Sequence, residues 1–350
     1  MQKSITGERP MTIGLDLGDR RSHLCAVDAR GEASSRLALP TTQRALQRTF
    51  AELAPSRVVV EVGTHSPWVS RLLTSLGHEV IVANAREVQS IGQSRCKNDA
   101  ADAEQLARLG RADPQLLRPI RHRGEQAQRD RALLGVRDGL VRARTALINQ
   151  ARGLAKALGQ RLPRCTTAAF ARRMRDEGLQ DLFPGLRTLV GTIAHLTVAI
   201  RAKDREIARL SEQRYPETEL LRQVPGVGPI TALAYVLSLE DPRRFAKSRS
   251  VGAYLGLCPG QRQSGERNPE LRITKQGDVF LRRMLIQASH YILGPFGPDT
   301  DLRRFGTRLI ARGGRLAKKK ARVAVARKLA VLLHRLWRTA EVYEPLRLVD

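Results

Sequence analysis

The chain has 350 residues, with 61 Lys or Arg against 34 Asp or Glu, and its formal net charge at pH 7 is +27. Such an excess repels itself in a compact fold unless a polyanion neutralises it, so nucleic acid is the expected partner, with a ribosome-associated or membrane-surface protein as the alternative on charge alone. Four widely spaced cysteines and no long apolar run exclude a disulfide framework, a zinc knuckle, a signal peptide and a membrane span, and a cytoplasmic protein without a membrane partner is expected.

Residues 1–120 carry a net charge of only +3, and their apolar residues alternate between strand and helix periods. Three strands at Thr12–Leu17, Ser22–Val27 and Arg36–Leu39 are predicted to form an antiparallel meander. The pattern then predicts helices at 44–53, 67–76 and 99–109 and strands at 57–62 and 79–82, with Asn98 or Asp99 capping the last helix. This order predicts an α/β domain with a mixed sheet and helical cover.

Residues 121–213 are predicted to be a helical coiled-coil region. Leucines recur every seven residues from Leu133 to Leu154, and a 4-3 apolar pattern runs from Leu189 to Leu210. Prolines between the two segments break the helix, so an antiparallel hairpin is expected. The second seam should pack against the first or against another chain, although an ordinary bundle without a partner role fits the same pattern.

Residues 214–350 are predicted to form a mostly helical C-terminal domain. The turn Val224–Gly228 is similar to the hairpin of helix-hairpin-helix modules, in which Gly226 and Gly228 let backbone amides approach a phosphate. A plain tight turn between helices is the alternative. Further on, the positive residues at 303, 304, 308, 312, 315 and Lys318, Lys319 and Lys320 indicate a nucleic-acid track or a solvated helix face.

Four carboxylates are candidates for a functional site. Asp16 and Glu61 interrupt or end apolar strands, and a carboxylate there is unfavourable unless something pairs with it. Asp99 and Asp102 are three residues apart, which puts both on one face of a first helical turn. Salt-bridged structural acids and ordinary first-turn aspartates are the alternatives. Together, the four favour a hard divalent cation such as Mg²⁺ and metal-dependent phosphoryl transfer.

Ser264 lies in a polar loop rich in glycine and arginine. By itself it would be interpreted as a loop serine with a structural hydroxyl, because a serine needs help to attack. The neighbouring positive residues that could neutralise a phosphate are Arg262, Arg267, Arg272 and Lys275.

The order of these motifs resembles one transposase family. Ile13–Gly18, Val59–Gly63 and Lys97–Asp102 resemble the DEDD quartet of a RuvC-like (ribonuclease H-fold) domain. With Val224–Ala232 and Leu255–Asp278 added, the chain from Thr12 to about Tyr343 resembles the insertion sequence 110 family of transposases, which includes bridge-RNA-guided recombinases. The resemblance implies that Asp16, Glu61, Asp99 and Asp102 bind the metal and that Ser264 is the nucleophile.

The resemblance further implies a recombinase that excises and inserts a mobile element through a serine-linked DNA intermediate. Its implied partners are donor and target double-stranded DNA, a structured noncoding guide RNA, and other copies of the chain, as a dimer that becomes a tetramer on DNA in the bacterial nucleoid. The acids and the serine lie far apart in sequence, so a composite site is expected. The rival functions are a Holliday-junction-type endonuclease that uses the acids alone and a non-catalytic nucleic-acid-binding protein.

Overall fold

The computed structural model describes residues 11–84, 98–264, 269 and 271–347. The chain divides into two compact units, residues 1–123 and 124–350. The domain boundaries expected from the sequence, near residues 120 and 213, remain predictions. Two residues named above, Lys97 and Arg267, lie outside the described part of the chain.

A five-stranded mixed sheet with the order β3-β2-β1-β4-β5 forms the centre of the first unit. Its strands are β1 (Thr12–Leu17), β2 (Arg21–Val27), β3 (Ala33–Pro40), β4 (Arg57–Glu61) and β5 (Glu79–Ala83), and its helices are α1 (Gln43–Ala51), α2 (Ser66–Ser75) and α3 (Asp99–Ala112). The β1–β2 and β2–β3 pairs are antiparallel, while β1–β4 and β4–β5 are parallel. A mixed sheet with helices, followed by a helical chain, confirms the predicted fold class.

The two faces of β1 have different chemistry because side chains alternate along a strand. Ile13 and Leu15 are fully buried in a core that includes Phe50 of α1. The opposite face carries Gly14 and Asp16. This second face is the one that α3 covers.

Helix α3 lies unusually close to β1 because Gly14 has no side chain. A Cβ at Gly14 would stand 1.9 Å from the carbonyl oxygen of Ala103, and a Cβ at Gly110 would stand 3.7 Å from Cγ2 of Thr12. The beginning of β1 therefore lies near the end of α3. Helix and strand run in opposite directions, so the first turn of α3 lies towards the Asp16 end of the strand.

The regular secondary structure in the described part of the second unit is helical. Its helices are α4 (Glu125–Ala157), α5 (Phe170–Asp176), α6 (Leu186–Arg214), α7 (Glu217–Arg222), α8 (Pro229–Leu239), α9 (Ser250–Tyr254), α10 (Val279–Ile292), α11 (Asp301–Ala311) and α12 (Ala317–Thr339). Short 3-10 turns lie at Pro114–Leu117 in the first unit, and at Leu179–Asp181 and Pro242–Arg244 in the second.

Helices α4 and α6 form the expected antiparallel hairpin. Nε of Arg137 donates to Asp204 at 2.8 Å, and further along α4 a guanidinium nitrogen of Arg144 approaches Oγ1 of Thr197 at 3.4 Å. Later residues of α4 thus meet earlier residues of α6. The apolar seam of α6 packs against α4 of the same chain, which is one of the two outcomes that the sequence predicted.

The contact seam differs by one residue from the predicted one. On α6, Ile193, Ile200 and Ile207 are buried as expected, but Val190 and Thr197 take the places expected for Leu189 and Leu196. On α4, Leu154 is 44% exposed, whereas its neighbour Ala155 is fully buried. Small side chains let the two helices approach closely, so the large leucines flank the contact instead of filling it.

Helix α8 is the centre of the second unit. Every residue from Thr231 to Leu239 is buried, and the surrounding core contains residues of α4, α6, α7, α9, α10, α11 and α12. The hydroxyl of Tyr235 donates to the carbonyl of Ala330 at 2.6 Å. Within the described ranges, none of the helices combines the length and apolar character needed to cross a bilayer.

Candidate active site

Asp16 and Glu61 lie at the carboxyl ends of two neighbouring parallel strands. β1 and β4 pair in register up to Leu15 with Val60, so Asp16 and Glu61 are the next positions along each strand. Adjacent strands lie about 4.8 Å apart, and side chains in register project from the same face. Both residues are partly buried. The sheet therefore places these two carboxylates side by side on the face that α3 covers.

The first turn of α3 supplies two more carboxylates. Asn98 caps this helix as predicted, because its side-chain oxygen accepts from the backbone N–H of Ala100 at 3.1 Å. Asp99 and Asp102 follow in the first turn. The helix dipole favours negative charge there. Since α3 begins towards the Asp16 end of β1, its two carboxylates approach the acidic end of the sheet.

The charges at this end of the sheet act on one another. The pKa of the Asp16 carboxyl is raised, first by burial and then by the negative charges of Asp99 and Asp102. The charge of His23 and a hydrogen bond from the backbone of Leu17 oppose the shift. Three of the four predicted acids are thus close enough to repel one another, which leaves negative charge for a cation to neutralise.

His23 is a site residue that the sequence argument missed. It stands opposite Asp16 in the β1–β2 pairing, and its Nε2 lies 3.7 Å from Oδ2 of Asp99. The alternating pattern of β2 contained the signal, because His23, Cys25 and Val27 share one face of that strand. Only the pairing register of the β1–β2 hairpin shows that this face also carries Asp16.

The donor set fits a hard divalent cation, but its side chains are not yet gathered around one point. Carboxylate oxygens are the ligands that Mg²⁺ prefers. In the described part of the chain, no group of three or more His, Cys, Asp or Glu side chains is placed to hold an ion. The Asp99 side chain is 73% exposed and therefore has room to turn. A cation would have to draw the carboxylates together on binding.

Ser264 lies in the second unit, in a loop segment that we name the serine arm and that comprises the described residues 258–264, 269 and 271–275. Near its base the two sides of the arm pair like a β-hairpin: Thr274 N–H donates to the Cys258 carbonyl at 2.9 Å, and Gly260 N–H to the Arg272 carbonyl at 3.0 Å. Ser264 stands beyond these pairs and is exposed. The serine arm thus holds its hydroxyl away from the packed core.

Two glycines fasten the base of the serine arm. Gly256 and Gly277 have φ angles of +66° and +70°, a region that side chains disfavour. A Cβ at Gly256 would lie 2.3 Å from the backbone nitrogen of Gln276, and one at Gly277 would lie 2.1 Å from the carbonyl oxygen of Tyr254. The two ends of the arm can therefore meet only because both positions lack a side chain.

Arg282 fixes the same base from inside the fold. This arginine of α10 is buried, and its Nη1 donates to the carbonyls of Leu255 at 3.0 Å and Gln276 at 2.6 Å. Asp278 begins α10 by accepting from the backbone N–H of Leu281 and forms an ion pair with Arg131 at 2.6 Å. These contacts join the serine arm to α4 and α10.

The basic residues predicted to bind nucleic acid fall into different settings. The exposed ones are Arg262, Arg272 and Lys275 on the serine arm and Lys318, Lys319 and Lys320 at the start of α12. Arg267 lies outside the described residues. Arg303 belongs to the protein interior instead, since its Nη1 donates to the carbonyls of Ile292 at 2.7 Å and Gly294 at 2.6 Å. Arg303 therefore has a structural role and does not belong to the predicted positive track.

The glycine-rich turn between α7 and α8 has one inner and one outer glycine. Gly226 has a φ of +86°, and a Cβ there would lie 3.0 Å from the carbonyl oxygen of Ala288 on α10. Gly228 is exposed and has nothing near its Cβ position. Gly226 thus serves packing, while the backbone at Gly228, directly before α8, is exposed.

Comparison with known proteins decides the family. A family model described as a transposase with a DEDD domain of the IS110 type matches residues 13–159, and the model of the IS116/IS110/IS902 transposase family matches residues 218–299. The chain belongs to the IS116/IS110/IS902 family of transposases. It is thus a member of a family of DNA-modifying enzymes, and none of its described helices could span a membrane.

Relatives resemble the chain along most of its length. A Pseudomonas aeruginosa protein named "Probable family 20 transposase" is 31% identical over 83% of this chain and 86% of its own length. The transposase for insertion sequence element IS1111A of Coxiella burnetii is 29% identical over 95% and 90%. The transposase for insertion sequence element IS1328 of Yersinia enterocolitica is 29% identical over 79% and 82%.

The two segments matched by the family models contain different groups of the predicted site residues. The first segment contains all four acids, Asp16, Glu61, Asp99 and Asp102, and continues into α4. The second contains the glycine-rich turn, α8 and the whole serine arm with Ser264.

Proposed function

We propose that this transposase excises and inserts a mobile element by metal-dependent strand cleavage through a covalent link between Ser264 and DNA. The observation that carries the proposal is the convergence of like charges at one end of the sheet. Burial, Asp99 and Asp102 raise the pKa of Asp16, and Glu61 ends the adjacent strand. Such a site is unfavourable alone and becomes favourable around divalent cations.

The acids would hold Mg²⁺ through Asp16, Glu61, Asp99 and Asp102. When bound there, the metal supplies positive charge that polarises a phosphodiester and stabilises the departing oxygen. The sheet and α3 supply the positioning, since Asp16 is fixed by its strand and the first turn of α3 is held against β1 at Gly14. His23 would help to orient Asp99, from which its Nε2 is 3.7 Å away.

Ser264 would be the attacking group. Its Oγ forms a bond to the phosphorus while the bond from that phosphorus to a deoxyribose oxygen breaks, and the freed oxygen becomes a hydroxyl. The serine proton passes to a general base. Energy of the broken bond is conserved in the phosphoserine link, which the freed hydroxyl of a second strand can attack to rejoin DNA. The exposed arm suits this role because a phosphate can reach its hydroxyl, with Arg262 and Arg272 nearby in sequence to neutralise charge.

A structured noncoding RNA would select the DNA, with the protein acting as a dimer that pairs into a tetramer on DNA. The support is the charge distribution, because residues 121–350 carry +24 of the +27 total. Phosphate contacts of this kind bind a folded RNA largely by its shape. Sequencing the RNA that co-purifies with the protein tests this part, and normal recombination by RNA-free protein contradicts it.

The decisive test is to denature a stalled reaction and look for protein covalently attached to DNA. Wild-type protein should give the adduct, whereas Ser264→Ala and each acid-to-alanine variant should not. Ser250→Ala, which changes an exposed serine of the same unit, is the control and should behave as wild type. An adduct that persists in Ser264→Ala means that another residue is the nucleophile. Junction cleavage without any adduct would favour the endonuclease alternative.

A further inference from the structure

Arg144 is a buried charge in the middle of the α4–α6 hairpin. Its side chain belongs to a residue that is 8% exposed, and its guanidinium nitrogens approach two neutral hydroxyls, those of Thr197 at 3.4 Å and Thr167 at 3.2 Å. Charge-assisted hydrogen bonds are shorter, at about 2.7–2.9 Å. Among the described residues, Nε of Arg144 has no hydrogen-bond partner. The hairpin therefore buries a cation with weak compensation.

The surrounding charges do not neutralise Arg144. Its pKa is lowered, first by burial and then by the charge of Arg137, with a further contribution from Arg201, while Asp204 opposes the shift. Asp204 is itself hydrogen-bonded to Arg137 at 2.8 Å. A buried charge without a partner is strongly destabilising. A protein retains a buried unpaired cation more readily when an anionic ligand neutralises its charge.

A cavity of about 420 Å³ lies beside Arg144. Thr197, which accepts from Arg144, forms part of its wall, as does Thr166, the neighbour of the second acceptor. The volume lies within the range of about 300–1,000 Å³ that is typical of ligand sites. Arg144 itself does not line the cavity; its guanidinium lies behind the wall at Thr197.

Three exposed arginines also line this cavity: Arg172, Arg175 and Arg201. Arg172 has an acidic neighbour, but its ion pair with Asp176 is 3.9 Å long and exposed, and such pairs contribute little. The cavity thus combines threonine side chains with a positive rim, and a buried guanidinium lies behind its wall. The three arginines can donate hydrogen bonds to an anion, whereas the Thr197 hydroxyl donates to the Ile193 carbonyl at 2.8 Å.

We propose that this cavity binds a phosphate of a nucleic-acid backbone, with Arg144 behind it and Arg172, Arg175 and Arg201 around its mouth. Guanidinium groups suit phosphate because they are weakly hydrated and can donate two parallel hydrogen bonds to it. A nucleic-acid strand is the occupant favoured by the net charge of +27 and by membership of a transposase family. The proposal rests on the proposed function only in taking nucleic acid as the partner.

The site gives the helical hairpin a role distinct from catalysis. Three arginines contributed by α5 and α6 would fix one backbone phosphate, with the charge of Arg144 on α4 behind them, so the hairpin would set the position of a bound strand without contacting the scissile bond. Phosphate contacts position a nucleic acid and carry no sequence information. Strand choice would remain with other parts of the complex.

The first test measures thermal unfolding of the full-length protein against inorganic phosphate. Phosphate that binds only the folded state raises the melting temperature as its concentration increases. Wild type should show this rise, and Arg144→Met should not. At low phosphate, Arg144→Met should be at least as stable as wild type, because the substitution removes an uncompensated buried charge. A variant that melts lower than wild type at every phosphate concentration indicates a purely structural arginine and overturns the proposal.

The second test measures binding of duplex DNA and of a structured RNA across a salt series, in EDTA so that no strand is cut. Loss of one phosphate contact should lower the slope of log K against log salt by about 0.9 for duplex DNA or about 0.7 for a single strand. Arg144→Met and the exposed rim variant Arg201→Met should both show the decrease, in the arm whose strand occupies the cavity. Arg205→Met, an exposed arginine on the same helix, is the matched control and should keep the wild-type slope.

The two tests separate the possible outcomes. Protection by phosphate with unchanged slopes for both nucleic acids would show a site for small anions only and would overturn the nucleic-acid assignment. If Arg144→Met does not fold, Arg201→Met still decides the matter, because its side chain is exposed. Failure of the metal or serine chemistry leaves both measurements unaffected, since neither requires cleavage.

Discussion

Asp16 lies on the central strand of a sheet, between two paired neighbours, whereas Ser264 stands on an exposed arm that leaves the core at Gly256 and returns at Gly277. The acidic residues are positioned by regular secondary structure, in which strand register and a helix cap determine where each side chain points. The serine is positioned by backbone contacts at the base of its arm. Rigid placement suits the metal-binding role that we propose for the acids, and an exposed arm suits the role of nucleophile that we propose for Ser264.

The largest expected effect is on the acidic residues. Replacing Asp16, Glu61, Asp99 or Asp102 by alanine should lower strand cleavage by at least about 10²–10³-fold, the loss typical when a group that stabilises transition-state charge is removed. Gel-based cleavage assays in MgCl₂ measure the effect. Glu52→Gln, at an exposed acid of the same unit, is the control. Undiminished cleavage in EDTA would contradict the role of the acids.

A second prediction concerns the base of the serine arm. Gly277→Ala should reduce the yield of the covalent adduct by about 10²-fold, since misplacement of a reacting group by about 1 Å costs that much. The added Cβ would meet the Tyr254 carbonyl at 2.1 Å and force the arm to shift. DNA binding should remain. The matched control is Gly313→Ala, whose φ of +75° imposes the same backbone strain with open space around the Cβ. Equal effects at both positions would show that strain alone is responsible.

A third prediction concerns the contact between α3 and β1. Gly14→Ala should lower the free energy of unfolding by about 3 kcal/mol, the upper part of the range for overpacking. The reason is a Cβ only 1.9 Å from the Ala103 carbonyl, which moves α3 and its first turn away from the sheet. Urea denaturation measures the change. Gly63→Ala, in the same unit with nothing within 4 Å of its Cβ, should change stability by less than about 0.5 kcal/mol.

The smallest expected effect is a pH-dependent gain in stability. Because the pKa of Asp16 is raised in the folded protein, folding favours its protonated form, and the ionised form costs stability above the unfolded pKa of about 3.9. Without metal, Asp16→Asn should therefore melt above wild type at pH 7, and the difference should vanish as the pH falls below about 4. Added Mg²⁺ should stabilise wild type and not the variant. A variant that melts below wild type at pH 7 in EDTA would argue against repulsion among these acids.

The placement of the four acids on strands and a helix was largely predictable from the sequence, because it follows from hydrophobic periodicity and helix capping. The bounds of β1 and the Asn98 cap agree with the prediction, because alternation and capping are local rules. Asp16 and Glu61 stand at strand ends that parallel pairing brings together. His23 could not be assigned, since its place opposite Asp16 depends on a hairpin register that local rules do not determine.

The second unit was less predictable, because close packing there depends on small or polar residues. The seam of α4 contains Ala151, Ala155 and the buried Arg144, whereas hydrophobic periodicity selects the leucines beside them. The base of the serine arm depends on Gly277 and Arg282, which meet partners from other helices. Contacts of this kind arise from the tertiary fold, and no local pattern indicates them.

The hydrogen bond from Tyr235 to Ala330 joins positions 95 residues apart, and it has a consequence for protein synthesis. The apolar surface of α8 stays exposed on the growing chain until α12 has emerged from the ribosome, because α12 forms part of its cover. A chain that ends before α12 therefore leaves apolar surface of α8 uncovered, and exposed apolar surface makes a partly folded chain prone to aggregation.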